Sequence, residues 1–503
     1  MSSPSSSIML NTNSSSSSSI DELVSEYVSS ISQPVEQLQS EQSNISSLVS
    51  IYNTIKSNLK SLESQASSLG SVGTLSPLAA KTATASDSTI VSATAQNTAT
   101  SSTHSLLVTQ LAKYDTLVSS QLSQSGADIS TAAGAGKSTF SVTINGTTTK
   151  INVNVNNGDT NSTVMANMAA AVNAANLGVT ASVITDTAST ARLVFASNNS
   201  GSANAISVAD VSGDLAKSVG WSNDVISSRT ASTATGAGFV NSSTGSLDAN
   251  FTFDGIPIVR GSNTVSDVLT GVTLNLEGTQ LATDNPVTLT IAPDTSSIQS
   301  AIQNFINSYN TAITSVTQNT GDTTSTSSSS SSGGSSGTTV TRGALAGDVT
   351  FMNLQMQLQN VLMGQVNSAQ SGNPNSLSAI GITLNTDGTL SISNQSTLTS
   401  AITANPSAVV DLFNSSDGIA VQMNKLVKSY SVAGGTMDEK INGANSEISS
   451  LNDEINSMQA NINEQANAMR DEFTAQESQL IQLNQTESSL TSIYNTMSSQ
   501  GIL

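Results

Sequence analysis

The stretch from Met437 onward carries the pattern that most constrains the fold, because apolar residues recur there every three or four positions. Apolar residues at an average spacing of 3.5 keep one side of a helix facing a partner helix, which is the condition for a coiled coil. Neither Pro nor Gly interrupts the pattern between Ala444 and Gln500. It has two parts, formed by Ile448, Leu451, Ile455, Met458 and Ile462, and then by Phe473, Leu480, Leu483, Leu490, Tyr494 and Met497. A long helix that needs a partner is therefore predicted.

The pattern changes phase once, where Gln465, Met469 and Phe473 follow one another in steps of four. An insertion of this kind locally unwinds a coiled coil. Polar residues such as Gln476 and Glu487 also occupy positions in the pattern, and polar seam positions reduce the stability of the pairing.

A second pattern near the start of the chain provides a partner, since one heptad register continues without a slip from Ile20 to Leu69. Its members include Ile20, Val24, Tyr27, Ile31, Ile45, Tyr52, Ile55, Leu59 and Leu62. Pro34 removes a helix hydrogen bond and clashes with the preceding turn, so two helical pieces are predicted, at 20–33 and 35–69. The alternative, above all for 35–69, is an ordinary amphipathic helix packed on a globular core.

Composition limits the classes of protein to which this chain can belong. A chain of 503 residues exceeds the size at which a single core keeps growing, so several domains are expected. The formal net charge of −20 argues against nucleic acid or an anionic membrane as a partner, since either needs a basic patch. Cysteine is absent, which excludes disulfides, thiolate metal sites and a cysteine nucleophile.

Residues 1–19 are rich in Ser and Asn, contain no Lys or Arg and have no long apolar core. They do not resemble a Sec-type signal peptide, and they predict a disordered leader. No apolar run in the chain approaches the roughly 20 residues of a membrane span. Export through a type III-like channel and a cytosolic location both stay open on these grounds.

The middle of the chain, about 78–293, predicts mainly β structure. The pairs Asn145-Gly146 and Asp254-Gly255 each join two runs of alternating apolar residues, which indicates two-residue hairpins. After the first hairpin come a predicted helix at 162–175 and two strands, so we expect a β-β-α-β-β unit in which one helix covers one face of a sheet. A second β lobe follows, and the two lobes are expected to exchange strands across the chain.

Helical periodicity returns at 295–316. The Ser- and Gly-rich stretch 323–341 predicts a disordered or looping insertion. A helix at 348–365, a hairpin at Asp387-Gly388 and a helix at 407–413 follow.

Three motifs suggest chemistry, and none of them is complete. The stretch from Gly134 to Ser138 resembles the end of a phosphate-binding loop, but the first glycine and the preceding strand are missing. The Asn- and Asp-rich stretch 152–159 lacks the carboxylate ladder and closing Glu of a calcium loop. His104 is the only histidine, which excludes multi-histidine metal sites and leaves a Ser/His triad little scope. We predict no enzyme, no cofactor and no metal site.

Several short motifs follow one another in an order that matches a known family. They include Val108-Thr109-Gln110-Leu111-Ala112, Phe253-Asp254-Gly255-Ile256-Pro257-Ile258-Val259-Arg260, Phe305-Ile306-Asn307-Ser308-Tyr309-Asn310 and Gly343-Ala344-Leu345-Ala346-Gly347-Asp348. In these motifs, over nearly its whole length, the chain resembles the flagellar filament cap proteins, the hook-associated protein 2 (FliD) family. It departs from the family in the insertion 323–341, in the longer Ser-rich leader and in His104, where an aromatic residue is common.

The resemblance implies an α+β multidomain fold, with terminal coiled-coil legs, a helical leg domain and two mainly antiparallel β lobes inserted between the helical ends. The division that it implies is a disordered leader 1–19, a terminal leg 20–40 with 466–503, a leg domain 41–72 with 294–465, an inner β lobe 73–95 with 233–293, and an outer β lobe 96–232.

The resemblance also implies a function, that of a secreted ring of five or six copies at the filament tip, which retains exported flagellin and promotes its folding and polymerisation. The implied partners are further copies of the chain, flagellin, the hook-associated junction proteins and an export chaperone on the C-terminal helix, with no nucleic acid and no membrane span.

Two sets of residues receive roles from this likeness. The expected leg and filament contacts are Ile20, Val24, Tyr27, Ile31, Phe473, Leu480, Leu483, Leu490, Tyr494 and Met497. The expected intrachain helix pairing uses Ile45, Tyr52, Ile55, Leu59, Leu62, Ile448, Leu451, Ile455, Met458 and Ile462. The phase change divides the two sets, so that the residues after it, with 20–33, form a detachable leg end.

Two alternatives stay open. A hook-filament junction protein or a divergent flagellin shares the helical ends, but it sits at the junction or along the filament. A surface adhesin fits the Ser- and Thr-rich β lobes, but a Sec signal and an anchor are expected of it.

Overall fold

The computed structural model describes residues 16–327, 337–369 and 372–499. Its helices are α1 (Ser16–Leu69), α2 (Asp128–Ala133), α3 (Asn161–Ala174), α4 (Leu215–Ser218), α5 (Asn223–Ser227), α6 (Thr295–Thr320), α7 (Val349–Met363), α8 (Gln395–Ala404), α9 (Pro406–Asn414), α10 (Ile419–Ser431) and α11 (Thr436–Ser499). Within the described residues, no helix is both long enough and apolar enough to cross a membrane.

The strands are β1 (Lys81–Ala85), β2 (Val91–Ala95), β3 (Ser102–Gln110), β4 (Tyr114–Val118), β5 (Leu122–Ser123), β6 (Gly136–Ile144), β7 (Thr147–Val155), β8 (Val179–Thr185), β9 (Thr190–Ser200), β10 (Ser207–Ser212), β11 (Gly238–Phe239), β12 (Ala249–Phe253), β13 (Ile256–Arg260), β14 (Thr264–Val265), β15 (Val272–Leu276), β16 (Val287–Pro293), β17 (Asp322–Ser327), β18 (Gly337–Arg342), β19 (Ile382–Leu384) and β20 (Leu390–Ile392). Contacts divide the chain into a helical unit, from residues 1–71, 302–398 and 407–503, and a β unit, from 72–301 and 399–406.

Helix α1 runs without a break through Pro34, so the prediction of two helical pieces is wrong. Pro34 lies on the exposed face of the helix, where the carbonyl group that it leaves without a helix donor is open to water. On the other face, Ile31 and Val35 pack in one apolar cluster with Ile455 and Ile462 of α11. This packing on both sides of the proline holds the residues around it in a single helix.

The core of the helical unit includes α10, a helix that was not predicted. Helix α10 packs against both α1 and α7. Its Met423 and Val427 are fully buried, as are Leu59 and Leu62 of α1. The Nδ2 atom of Asn424 donates to the backbone carbonyl of Glu63 at 3.1 Å, which fixes α10 on α1.

The hairpin predicted at Asp387-Gly388 forms, with β19 paired to β20. Tyr309 of α6 is buried, and its hydroxyl donates to the carbonyl of Gly388 at 2.9 Å. Asn310 accepts from the backbone N–H of Leu390 at 2.7 Å and donates to its carbonyl at 2.8 Å. Helix α6 therefore anchors the hairpin through both adjacent side chains.

The stretch predicted as a disordered or looping insertion, 323–341, is strand at both ends. Strands β17 and β18 pair antiparallel, from Asp322 opposite Arg342 to Ser327 opposite Gly337. Thr residues recur at both ends of the stretch, and β-branched residues favour strands. The prediction relied on the Ser run at the centre and therefore missed the strands. Residues 328–336 of that run lie outside the described residues.

The β unit contains two separate apolar cores. The first lies between a five-stranded sheet in the order β1-β16-β3-β12-β13 and a three-stranded sheet in the order β14-β15-β2. Phe251, Leu289 and Leu274 are buried in it. Strand β3 pairs with β12 and β16 in this sheet. The predicted outer lobe, 96–232, includes β3 but not β12 or β16, so its predicted boundary at residue 96 divides the sheet.

The second core lies within 115–240 and is enclosed by two sheets, not by the single sheet that was predicted. One sheet has the order β10-β6-β7, and the other has the order β11-β4-β9-β5 with β8 paired to β9. The predicted helix forms as α3, and its Val164, Met168 and Val172 are fully buried in this core. Strand β6 pairs with β7 on one side and with a later strand, β10, on the other, so β6 and β7 lie in a different sheet from β8 and β9.

Both hairpins predicted in the β unit are confirmed. Asn145 and Gly146 have φ values of 48° and 70°, and Asp254 and Gly255 have φ values of 51° and 78°. Two positive φ values in succession define the type I′ turn, whose twist matches that of the flanking strands.

A buried ion pair lies at the second core. Asp115 is fully buried and accepts from both terminal nitrogens of Arg229, at 2.6 and 3.1 Å, and from the backbone N–H of Ile206 at 2.7 Å. The Arg229 guanidinium lies over the ring of Phe239, 3.9 Å from its centroid. The carboxylate and its partner are thus desolvated together.

Candidate functional site

Helices α1 and α11 lie antiparallel along most of α1, and polar contacts fix their register. Lys56 pairs with Asp438 near the start of α11. Further along, Gln42 donates to Asn452 at 2.6 Å, and the Tyr27 hydroxyl donates to Gln465 at 3.1 Å. Arg470 lies 3.2 Å from Asp21 near the first described turns of α1. The pairing between the two ends of the sequence, predicted from their heptads, is therefore present.

Two apolar clusters form the seam between these helices. The first joins Val35, Ile455 and Ile462 with Val28, Ile31, Leu38 and Met458. The second joins Ile20, Val24 and Ala466 with Val28, Met469 and Phe473. The heptad predicted Gln465 in the seam, but Gln465 is exposed and Ala466 is buried in its place. The change of phase turns Ala466 toward α1.

The remaining pairing residues lie toward the end of α1 and the start of α11. Ile45 is buried and Ile448 is half-buried, whereas Ile55, Leu59 and Leu62 are fully buried and face the core that α10 shares. Tyr52 stacks on Phe351 of α7, with 5.7 Å between ring centroids. Lys440 of α11 donates to Asp348 at 2.8 Å. Burial acts to raise the pKa of Asp348, but the hydrogen bonds from Lys440 and Thr350 outweigh it and lower that pKa.

Among the described residues the seam ends at Phe473, and α11 continues beyond it to Ser499. The side chains of Leu480, Leu483, Leu490 and Tyr494 are exposed, with Leu483 at 71%. We name Leu480, Leu483, Leu490, Tyr494 and Met497 the C-terminal stripe. An apolar face of this extent is characteristic of a surface that binds a partner.

The structure thus separates the residues that were expected to contact a filament. Ile20 and Val24 are buried against α11, and Tyr27 and Ile31 are half-buried beside them. Phe473 is half-buried at the end of the seam, while the C-terminal stripe lies beyond it. Residues 20–33 therefore pair with the part of α11 that precedes Phe473, and not with the stripe.

Ser102, His104 and Asp254 lie together on the sheet surface, an arrangement that the sequence did not predict. His104 Nδ1 is 2.7 Å from Asp254, and Nε2 is 2.9 Å from the Ser102 hydroxyl, which is 3.0 Å from the Thr100 carbonyl. A serine that donates its one proton to a carbonyl accepts from the imidazole, which is the reverse of what a nucleophile needs. The hydrogen bond from His104 is the main reason why the pKa of Asp254 is lowered.

The resemblance of residues 134–138 to a phosphate-binding loop does not extend to the structure. Lys137 and Ser138 lie within β6, where a phosphate loop would lead into a helix. Among the described residues, no group of three His, Asp or Glu side chains could hold a metal ion.

Family models match both parts of the chain that carry the helix pair. The model described as flagellar hook-associated protein 2 N-terminus matches residues 16–115, and the model described as flagellar hook-associated protein 2 C-terminus matches residues 246–485.

Individual relatives agree with these matches. The B-type flagellar hook-associated protein 2 of Pseudomonas aeruginosa is 28% identical over 298 residues, which are 58% of this chain and 59% of that protein. The chain thus spans less than two thirds of that relative. The flagellar hook-associated protein 2 of Escherichia coli is 27% identical over 414 residues, 82% of each chain. The crystal structure of the D1-D2-D3 domains of the Escherichia coli flagellar cap protein FliD aligns with a TM-score of 0.56 and 26% identity, over 78% of this chain and 99% of that one.

A helical unit built on a long antiparallel helix pair, with a β unit of antiparallel sheets, defines an α+β multidomain protein of the flagellar hook-associated class. The relatives within that class are named flagellar hook-associated protein 2 or flagellar cap protein. The chain belongs to the flagellar hook-associated protein 2 (FliD) family.

Proposed function

We propose that this protein caps the flagellar filament, outside the cell, and that α11 beyond Phe473 is the part that engages the filament. The name of the Escherichia coli FliD structure, a flagellar cap protein, supports the role. The observation that carries the proposal is the C-terminal stripe, whose side chains lie past Phe473, the last residue of α11 that packs against the described part of α1.

The stripe suits a contact that must form and release. Burying one large apolar side chain contributes roughly 1.5–3 kcal/mol, so the four exposed members supply enough free energy for specific binding. Glu487 interrupts the stripe, and a polar seam residue weakens a helical interface. The paired part of α11 remains anchored to α1 while the unpaired part binds.

In this proposal several copies form a ring of five or six subunits, and the β units retain unfolded flagellin beneath the ring until it folds into the next vacant position. Flagellin and the hook-associated junction proteins are then the assembly partners, and an export chaperone covers the C-terminal helix before secretion. The proposed leg comprises 20–40 and 466–503, and the proposed β lobes comprise the two cores of the β unit.

Removal of residues 474–503 tests the proposal. The truncation spares both apolar clusters of the seam, so the helix pair is expected to stay folded. In cultures whose medium contains the truncated protein, we expect filaments to be absent and unpolymerised flagellin to accumulate in the medium. Normal filaments assembled by the truncated protein would contradict the proposal.

Gold-labelled antibody against the full chain distinguishes the cap from its alternative. Label confined to the filament tip is expected for a cap. Label along the filament or at its base would instead indicate a divergent flagellin or a junction protein.

A further inference from the structure

Helix α7 exposes a second apolar face that nothing in the preceding account uses. Val349, Met352, Met356 and Met363 are all exposed, and we name them the methionine stripe. At 100° per residue they fall within an arc of about 60°, on the side turned away from the buried Leu354 and Leu358. Methionine side chains are flexible and polarisable, which suits a surface that adapts to a partner.

We infer that the methionine stripe binds the C-terminal stripe of a second copy of this chain, as an antiparallel helix pair. The contact shelters the C-terminal stripe in copies that have not yet engaged a filament, and this part of the inference rests on the proposed function. Two exposed apolar faces on one soluble chain otherwise favour aggregation, so pairing them between copies removes both.

Charge favours a second copy as the occupant. With a net charge of −20, copies of this chain repel one another over most of their surface. Helix α7 contains no charged residue at all, and residues 475–499 contain only Glu477 and Glu487. Contact between these two segments brings copies together where repulsion is weakest.

Spacing supports the antiparallel direction. Both stripes follow a heptad, and each has one polar interruption, at Gln359 in α7 and at Glu487 in α11. In an antiparallel seam Gln359 and Glu487 lie opposite each other, and all the remaining layers are apolar on both sides. The resulting layers are Val349 with Met497, Met352 with Tyr494, Met356 with Leu490, Gln359 with Glu487, and Met363 with Leu483.

The polar layer then sets the register. The Gln359 amide can donate to the Glu487 carboxylate, and a single polar pair in an apolar seam selects one alignment over its neighbours. A parallel alignment would instead place Glu487 against Met356 and Gln359 against Leu490, which leaves each polar group without a partner. The Met352–Tyr494 layer adds a contact between sulfur and an aromatic ring.

Cysteine pairs between two separately purified proteins test this register, since the chain has no cysteine of its own. Four single variants are needed, Met352→Cys, Met363→Cys, Leu483→Cys and Tyr494→Cys, with a size tag on the last two. Mixed under mild oxidation without flagellin, Met352→Cys with Tyr494→Cys and Met363→Cys with Leu483→Cys are expected to form disulfides about tenfold faster than the crossed pairs.

The crossed pairs, Met352→Cys with Leu483→Cys and Met363→Cys with Tyr494→Cys, use the same four proteins, so misfolding or unequal exposure affects both sets alike. Equal rates in the two sets would overturn the docking. Faster reaction in the crossed pairs would overturn the antiparallel register, because those residues meet in the parallel alignment. Since no flagellin is present, failure here is independent of the filament assay, and failure of the truncation assay leaves this test unaffected.

Discussion

Arg470 of α11 donates to Asp21 of α1 at 3.2 Å, although 449 positions separate the two residues in the sequence. The pair lies beside the apolar cluster of Ile20, Val24 and Ala466, close to the point where the seam ends. Both of its side chains are about half exposed or more, so solvent screens the ion pair. The cluster, and not the ion pair, is therefore expected to hold this end of α1.

Hydrogen exchange of the amides near residue 24 can separate the two contributions. Val24 is 3% exposed, and Val24→Ala is expected to cost roughly 2 kcal/mol, which speeds local exchange about thirtyfold. Asp21→Asn is expected to cost less than about 1 kcal/mol. A larger effect from Asp21→Asn than from Val24→Ala would show that the ion pair dominates.

Pro34→Ala is expected to stabilise the helical unit. The substitution restores a helix hydrogen bond on an exposed face and leaves the packing of Val35 unchanged, so a gain of about 1–3 kcal/mol is predicted. Denaturant unfolding followed by helical circular dichroism measures it, with the exposed Glu36→Ala as the control. Loss of stability in Pro34→Ala would mean that the helix depends on the proline.

Asp115→Asn is expected to destabilise the β unit by about 3–5 kcal/mol, because it leaves the Arg229 charge buried without its partner. The control is Asp267→Asn, which breaks an exposed ion pair with Arg260 and is expected to cost far less, because solvent screens that pair. Thermal unfolding of the two variants gives the comparison. Equal costs would show that burial does not decide the strength of these pairs.

Acid is expected to weaken the start of α6 through Asp294. The hydroxyls of Ser296 and Ser297, with the Ser297 backbone N–H, lower the pKa of Asp294 from 3.8 to about 2. A carboxylate whose pKa is lowered by folding stabilises the protein above its unfolded pKa, and this contribution is lost as pH falls through the folded pKa. Asp294→Asn keeps a hydrogen-bond acceptor but loses the charge, so the variant is expected to be less stable than the unaltered protein by about 1 kcal/mol at neutral pH. This difference in unfolding free energy should vanish as the pH falls from about 4 to about 2. A deficit that does not change with pH would contradict the account.

Local signals in the sequence predicted the elements that depend on neighbouring residues alone. The turns at Asn145-Gly146 and Asp254-Gly255 need positive φ at both positions, which Asn, Asp and Gly tolerate, and both formed where expected. The heptads likewise predicted that the ends of the chain pair. Pro34 misled the prediction because the packing of Ile31 and Val35 against α11 is a tertiary effect.

Long-range pairing was beyond the sequence pattern. The choice of β10 as the neighbour of β6 depends on which strand completes the sheet, and no periodicity encodes it. Helix α10 keeps apolar residues four apart at Ile419, Met423 and Val427, a signal that could have found it. The heptad of α11 continues unchanged past Phe473, so only the structure shows where the pairing with α1 stops.

Contact between the C-terminal stripe and flagellin can be measured directly at the filament. Bacteria that carry Leu483→Cys in place of their own protein supply filaments with a single thiol on the stripe, and a reagent that joins a thiol to a lysine is added to them. The account predicts a covalent product of this chain with flagellin, and none from the unaltered protein, which contains no cysteine. Filaments of normal length without any product from Leu483→Cys would contradict the proposal that α11 engages the filament.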